Sequence, residues 1–277
     1  MKGVFFVAAL TSVTAVVLIC VFLFSGGVPA MGEIGVLDFL FGQPWAPQNS
    51  PASYGIFPMI VGSVYITLGA VIIGVPIGIL TAVFLARFCP KSIYKVLKPA
   101  VDLLAGIPSI VYGFFGLVVV VPFIRSTFGG NGSSILAASL ILGIMILPTI
   151  IGVSESAIRA VPDSYYEGAL ALGATRERSV FRAVLPAAKS GIMAGIILGI
   201  GRAIGETMAV VLIAGNQAWI PGGILDGVRT LTTNIVLEMG YATGLHREAL
   251  IATAVVLFAF ILIINLLFAF FNRRNKK

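Results

Sequence analysis

The chain has 277 residues, of which 58% are hydrophobic and only 10% charged, with a mean hydropathy of +1.07. A soluble globular domain carries about 25% charged residues, so water is excluded as the solvent of most of this surface. The net charge of +7 raises nucleic acid as a partner, but the placement of the basic residues removes that reading.

Six apolar segments reach the roughly 20 residues that a helix needs to cross a hydrocarbon core. They are predicted at Val4–Phe24, Phe57–Ala86, Leu103–Ile124, Ile135–Val153, Gly191–Ala214 and Leu250–Phe271. The first follows Lys2 and precedes a passable cleavage site at Val28-Pro29-Ala30. Its apolar run exceeds the ~7–15 residues of a signal peptide, so it is expected to stay as an anchor. Residues 1–56 then read as this anchor plus an external loop, and 57–272 as a five-helix core surrounded by membrane lipid. The second segment carries Gly74, Pro76 and Gly78, the third Pro108 and the fourth Pro148, all expected to break or bend their helices.

Lysine and arginine set the orientation. With the N-terminus inside, Lys2, Arg87, Lys91, Lys95, Lys98, Arg159, Arg176, Arg178, Arg182, Lys189, Arg273, Arg274, Lys276 and Lys277 fall on the inner side, 14 of the 18 basic residues. Arg125, Arg229 and Arg247 fall outside, and Arg202 lies within a span. Both termini are therefore expected in the cytoplasm of a multi-pass inner-membrane protein, and the basic charge needs no nucleic acid. The outer connections Ser25–Ile56 and Gly215–Arg247 are longer than turns require, and either form a platform for an external partner or cap the bundle.

Between the fourth and fifth spans the inner segment 154–189 has the marks of a built docking loop. Ser164 followed by Glu167 spells a capping box, in which each side chain meets a backbone N–H left free at a helix start. Gly173 suits the left-handed position that closes a helix, Thr175 suits the cap of a second, and Pro186 is expected to end it. Such a loop fits a soluble partner in the cytoplasm.

The fifth span carries Gly191, Gly195, Gly199, Arg202 and Glu206. At about 100° per residue these fall at about 0°, 40°, 80°, 20° and 60°, on one helix face. Glycines at that spacing let another helix approach closely. An arginine at mid-span costs about 2.5–3.5 kcal/mol on insertion scales, and an i,i+4 carboxylate offsets part of it. The pair reads either as a structural ion pair or as a substrate site. Enzyme chemistry finds no support. His246 is the only histidine and lacks a partner at catalytic spacing, while Cys20 and Cys89 suggest neither a disulfide nor a metal site. No phosphate-cradling glycine-rich loop with Lys-Ser or Lys-Thr occurs, so the chain is not expected to bind ATP or any cofactor itself.

Glu167-Gly168-Ala169, Gly173 and Leu185-Pro186 resemble the cytoplasmic EAA loop of ATP-binding-cassette importer permeases, with Gly168 in place of an alanine and Ala183 in place of an isoleucine. Ala105-Gly106-Ile107-Pro108-Ser109-Ile110-Val111-Tyr112-Gly113 and Gly201-Arg202-Ala203-Ile204-Gly205-Glu206-Thr207 are similar to the phosphate-specific permeases. Met208-Ala209-Val210, Glu238-Met239-Gly240-Tyr241 and His246-Arg247-Glu248 resemble their C-type subunit. The resemblance implies an all-α, six-helix permease of the type I importer fold, paired with an A-type permease subunit. It further implies two copies of a cytoplasmic ATPase that uses the ATP, and an external binding protein delivering inorganic phosphate. Permeases for sulfate or molybdate share the docking loop but not the Gly201–Thr207 string.

Overall fold

The computed structural model describes residues 1–274, with side chains through residue 266. Of the basic tail, the side chains of Arg273 and Arg274 and all of Lys276 and Lys277 lie outside the described residues. Among the described residues, six helices are long and apolar enough to span a membrane: Lys2–Ile34, Phe57–Phe88, Ser109–Phe128, Ile135–Arg159, Arg176–Gly205 and Gly244–Leu266. The protein is an all-α membrane bundle, its described strands being a two-stranded ladder of β1 (Trp45–Ala46) and β2 (Ser53–Tyr54).

Helix α1 (Lys2–Ile34) runs ten residues past the expected end, through Pro29, and is followed by the short α2 (Val36–Phe41). Its first two turns and most of its length are exposed, as a lipid-facing anchor requires, and it meets the bundle only near its end. There Gly26 and Gly27 lie against Ile251, Ala252 and Val255, on the last helix. A side chain on Gly27 would collide with the Ala252 backbone, so glycine sets the approach.

Helix α3 (Phe57–Val83) is continuous through Gly74, Pro76 and Gly78, where a break was expected. The physical reason is packing: Gly74 and Gly78 face Ile146 and Ile150, so they are contact points rather than hinges. Its helix continues into a π-helical turn at Phe84–Phe88. Pro108, in contrast, divides what read as one span. Helix α4 (Lys91–Gly106) ends before it, Ile107 is extended at ψ 125°, and α5 (Ser109–Phe115) starts after it. Proline disfavours helical backbone in the residue before it, and here nothing opposes that preference. The third span is therefore α5, a π-helical turn at Gly116–Val120, and α6 (Val121–Phe128). Helix α4 is left outside it as an amphipathic segment at the basic end of the bundle.

Helix α7 (Ile135–Arg159) is the centre, with Ile141, Leu142, Met145, Ile146 and Ile150 fully buried. Pro148 lies within it without ending it. On one side it takes α3, and on the other α10 (Leu185–Gly205). Between them come the short α8 (Asp163–Ala171), α9 (Arg176–Ser179) and a π-helical turn at Val180–Val184. After α10 come α11 (Met208–Ile213), α12 (Leu231–Glu238) and the final span α13 (Gly244–Arg274). In a bilayer the hydrophobic effect gives helices little reason to associate, so close van der Waals contact has to hold this core.

Candidate functional site

Along α10, Gly191 lies against Ala157 of α7, Gly195 against Val153 and Ser154, and Gly199 against Ile150. Each contact moves about one helical turn along both helices, so the two backbones stay in close register over three turns. Arg202 follows on the same helix, half-buried, and its guanidinium donates to the Thr149 hydroxyl at 3.4 Å. Among the described residues it has no carboxylate partner.

Glu206 does not continue that face. Helix α10 stops at Gly205, and Glu206 has extended backbone at φ −69° and ψ 135°. Its carboxylate instead accepts the Ala209 N–H at 3.2 Å, in the first turn of α11. The expected i,i+4 ion pair is therefore corrected: Arg202 and Glu206 serve different helices. Gly201 and Gly205 each weaken a helix by about 1 kcal/mol relative to alanine, and a carboxylate gains by capping free N–H groups. Together these favour the break over a longer span. The fifth span runs from Arg176 to Gly205, not to Ala214.

The Ala105–Gly113 string and the Gly201–Thr207 string thus both encode helix breaks, and the first packs on the helix that follows the second. Gly113 of α5 packs on α11, where a β-carbon would lie 2.7 Å from the Ala209 backbone.

At the basic end, α8 starts at Asp163 rather than Ser164, after Pro162 and with no side-chain cap. The expected Ser164–Glu167 capping box is absent, because proline fixes the entry one residue earlier. Ser164, Glu167 and Gly168 are exposed and Ala169 half-buried. Gly173 has φ +82°, and Thr175 caps α9 by accepting the Arg178 N–H at 3.3 Å. Pro186 does not end the second helix. The π-helical turn at Val180–Val184 absorbs the missing N–H, and the chain passes through half-buried Leu185 and exposed Pro186 into α10. The loop's second helix is thereby one rod with the glycine-packed span. Tyr165, Leu172 and Phe181 stand exposed on this loop, Leu172 at 90%.

Two buried carboxylates organise the rest, and the sequence reading singled out neither for this role. At the basic end, Glu155 accepts from Tyr94 at 2.8 Å and Arg159 at 2.8 Å, and pairs with Lys98 at 3.4 Å. This pins α4 to α7, with Arg159 stacked 4.6 Å from the Tyr94 ring. The hydrogen bond to Glu155, with some burial, raises the Tyr94 phenol above its ordinary value. Burial opposes the Lys98 charge, but its bond to Asp102 and the field of Glu155 prevail, so its pKa is raised. Beside them Arg87 ties the π-turn to the next corner, pairing with Asp163 at 2.9 Å and donating to the Ile158 and Val161 carbonyls.

At the other end, Glu238 accepts from Trp45 at 2.9 Å and Arg229 at 2.5 Å, and meets His246 at 2.8 Å. His246 thus has an acidic partner eight residues away that spacing did not suggest. The sequence signals here were the excess length of the outer segments and the Glu238–Tyr241 and His246–Glu248 strings, neither of which reveals the pairing, since a buried carboxylate needs partners that only folding brings together.

The sequence profile of the binding-protein-dependent transport system inner membrane components matches residues 74–277. The chain is 39% identical over 273 residues to a Bacillus subtilis protein described as the probable ABC transporter permease protein YqgH, covering 97% of this chain and 88% of that one. It is 34% identical to the phosphate transport system permease protein PstC of Mesorhizobium japonicum, covering 87% and 79%. Its fold matches a chain of a bacterial alginate ABC transporter at a TM-score of 0.67 and 18% identity, covering 98% and 96%. A chain of the MetNI methionine ABC transporter in an inward-facing conformation matches at 0.64 and 21% identity, covering 80% and 96%.

Proposed function

Because the chain belongs to the family of binding-protein-dependent transport system inner membrane components, the permeases of ABC importers, we propose that its cargo is inorganic phosphate and that Arg202 meets it in transit. The relatives named as phosphate permeases support the cargo, although the 39% identical relative carries no substrate in its name. The observation that carries the reading is Arg202 itself: a guanidinium inside a span, at a helix break, with one hydroxyl neighbour and, among the described residues, no carboxylate. An intramembrane charge left without a counter-ion calls for an anionic visitor. A guanidinium offers a planar fork of donors to the oxygens of a tetrahedral oxyanion. Thr149 holds the side chain while the site is empty.

Glu206 adds discrimination in this reading. Phosphate near neutral pH keeps a proton to donate, and sulfate does not, so a nearby carboxylate leaves an unpaired negative charge only against sulfate. The remaining machinery is that of the family. The basic end, with both termini, lies in the cytoplasm, where the Glu167–Pro186 rods receive two copies of an ATPase. An A-type permease subunit completes the pathway, and an external binding protein delivers phosphate at the Glu238 end. ATP binding moves α8 and α9, and because α9 is continuous with α10, that motion reaches Arg202 directly.

Uptake of labelled phosphate into vesicles holding the assembled complex tests this. Uptake is expected to require ATP, to resist competition by sulfate or molybdate, and to vanish in Arg202→Gln. Equal competition by sulfate would make the cargo another oxyanion at the same guanidinium.

A further inference from the structure

Helix α12 is fastened at both ends by polar groups, in a region where apolar packing would suffice to fill space. At its start, Thr230 and Thr233 cap one another, and the Leu231 N–H donates to the Ser63 hydroxyl of α3 at 3.0 Å. The Thr232 hydroxyl donates to the Glu206 carbonyl at 2.9 Å. That bond matters because the Glu206 carbonyl lies in the break between α10 and α11, outside regular helix hydrogen bonding. At the other end, Glu238 grips Trp45 of β1, Arg229 of the preceding loop and His246 at the start of α13. Arg229 also holds the Asn216 carbonyl and the Asn234 amide oxygen, each at 3.1 Å. Thr230, Thr232, Thr233, Asn234 and Glu238 are all buried.

Directional bonds at both ends make α12 a strut of about 12 Å, from its eight residues at ~1.5 Å each. Apolar contacts slide at little cost, whereas a buried hydrogen bond has one good geometry and is costly when broken. Displacing the outer cap therefore either carries the Glu206 segment along or strands its carbonyl.

We propose that Thr232 is a positioning residue: through α12 it couples the outer cap, gripped by Glu238, to the break beside Arg202, so that docking of the external binding subunit resets the Gly205–Thr207 segment. The inference rests on the importer reading and on that break lining the path, but not on the cargo being phosphate.

The test reports on the segment itself. Gly205 is exposed and a β-carbon there meets nothing within 4 Å, so Gly205→Cys places a thiol on the segment without a clash, and with Cys20 and Cys89 changed to serine it is the common background of every variant compared. Its rate of modification by a thiol reagent is measured in the assembled complex with ATP, with and without loaded binding subunit. With Thr232 in place the subunit is expected to change the rate severalfold. Thr232→Val and Glu238→Gln are expected to lose that change, and Thr232→Ser to keep it, since only the hydroxyl is required. A full change retained in Thr232→Val, or in Thr232→Ala if valine prevents assembly, overturns the proposal, as does an unchanging rate with Thr232 present. Because labelling does not read the cargo, a negative result leaves the Arg202 reading standing, and a failed phosphate assay leaves this one standing.

Discussion

Arg202 and Glu206, four residues apart, face different helices: Arg202 donates to Thr149 of α7 at 3.4 Å, and Glu206 caps α11 through Ala209 at 3.2 Å. A pair that does not touch cannot be repaired by removing both charges. Arg202→Gln with Glu206→Gln is therefore expected to assemble normally and to transport no better than Arg202→Gln alone. Arg202→Lys should recover only part of the uptake, since an ammonium keeps the charge but loses the fork. Glu206→Gln keeps an acceptor for the Ala209 N–H, so its cost in stability should stay below about 1 kcal/mol, within the range of cap substitutions. Near-native uptake by the double variant would move the substrate path to other helices.

Gly173 sits at φ +82° between α8 and α9, with open space where a side chain would go. The constraint is therefore conformational rather than steric. Gly173→Val should strain the turn by about 1–3 kcal/mol, and the loop should relieve it by shifting α8 against α9. The expected result is an inserted, assembled complex whose ATP hydrolysis no longer drives uptake. Gly173→Asn, which tolerates positive φ, should remain coupled. Normal ATP-driven uptake in the valine variant would remove the loop from the coupling path.

Gly195 and Gly201 are both glycines of α10, and the structure separates them. A β-carbon on Gly195 would lie 3.1 Å from the Ser154 hydroxyl, whereas on Gly201 it meets nothing within 4 Å. Gly195→Val should force α10 away from α7, with an overpacking cost of about 1–3 kcal/mol. Gly201→Ala should leave stability unchanged or slightly raised, since alanine is the better helix former. Thermal unfolding of the two purified variants decides whether the glycine stripe is a packing surface.

Cysteine labelling in intact cells checks the orientation. Lys95 is exposed on α4 at the basic end, and Gln48 is exposed in the β1–β2 connection at the opposite end. With the basic end inside, Lys95→Cys should resist an impermeant reagent and Gln48→Cys should react. The reverse pattern would invert the bundle and place the docking loop outside.

Composition and hydropathy determined the membrane bundle and its six spans, because crossing hydrocarbon demands a run of apolar residues that little else explains. Glycine spacing on α10 and the Gly173 turn were legible for a related reason: each is a local backbone requirement written in one residue type. What the sequence did not reveal depended on competition between neighbours. Three proline-containing spans looked alike, yet α3 and α7 run straight through Pro76 and Pro148, while the chain breaks at Pro108. Pro186 stops nothing, because a π-helical turn precedes it. Arg202 and Glu206 had ideal spacing for a pair, and only the start of a second helix at Met208 drew Glu206 away. The carboxylates Glu155 and Glu238 have their meaning solely in the fold. Each is buried because donors from distant segments converge on it, Trp45 from 193 residues away in the case of Glu238, and no local pattern records such a meeting.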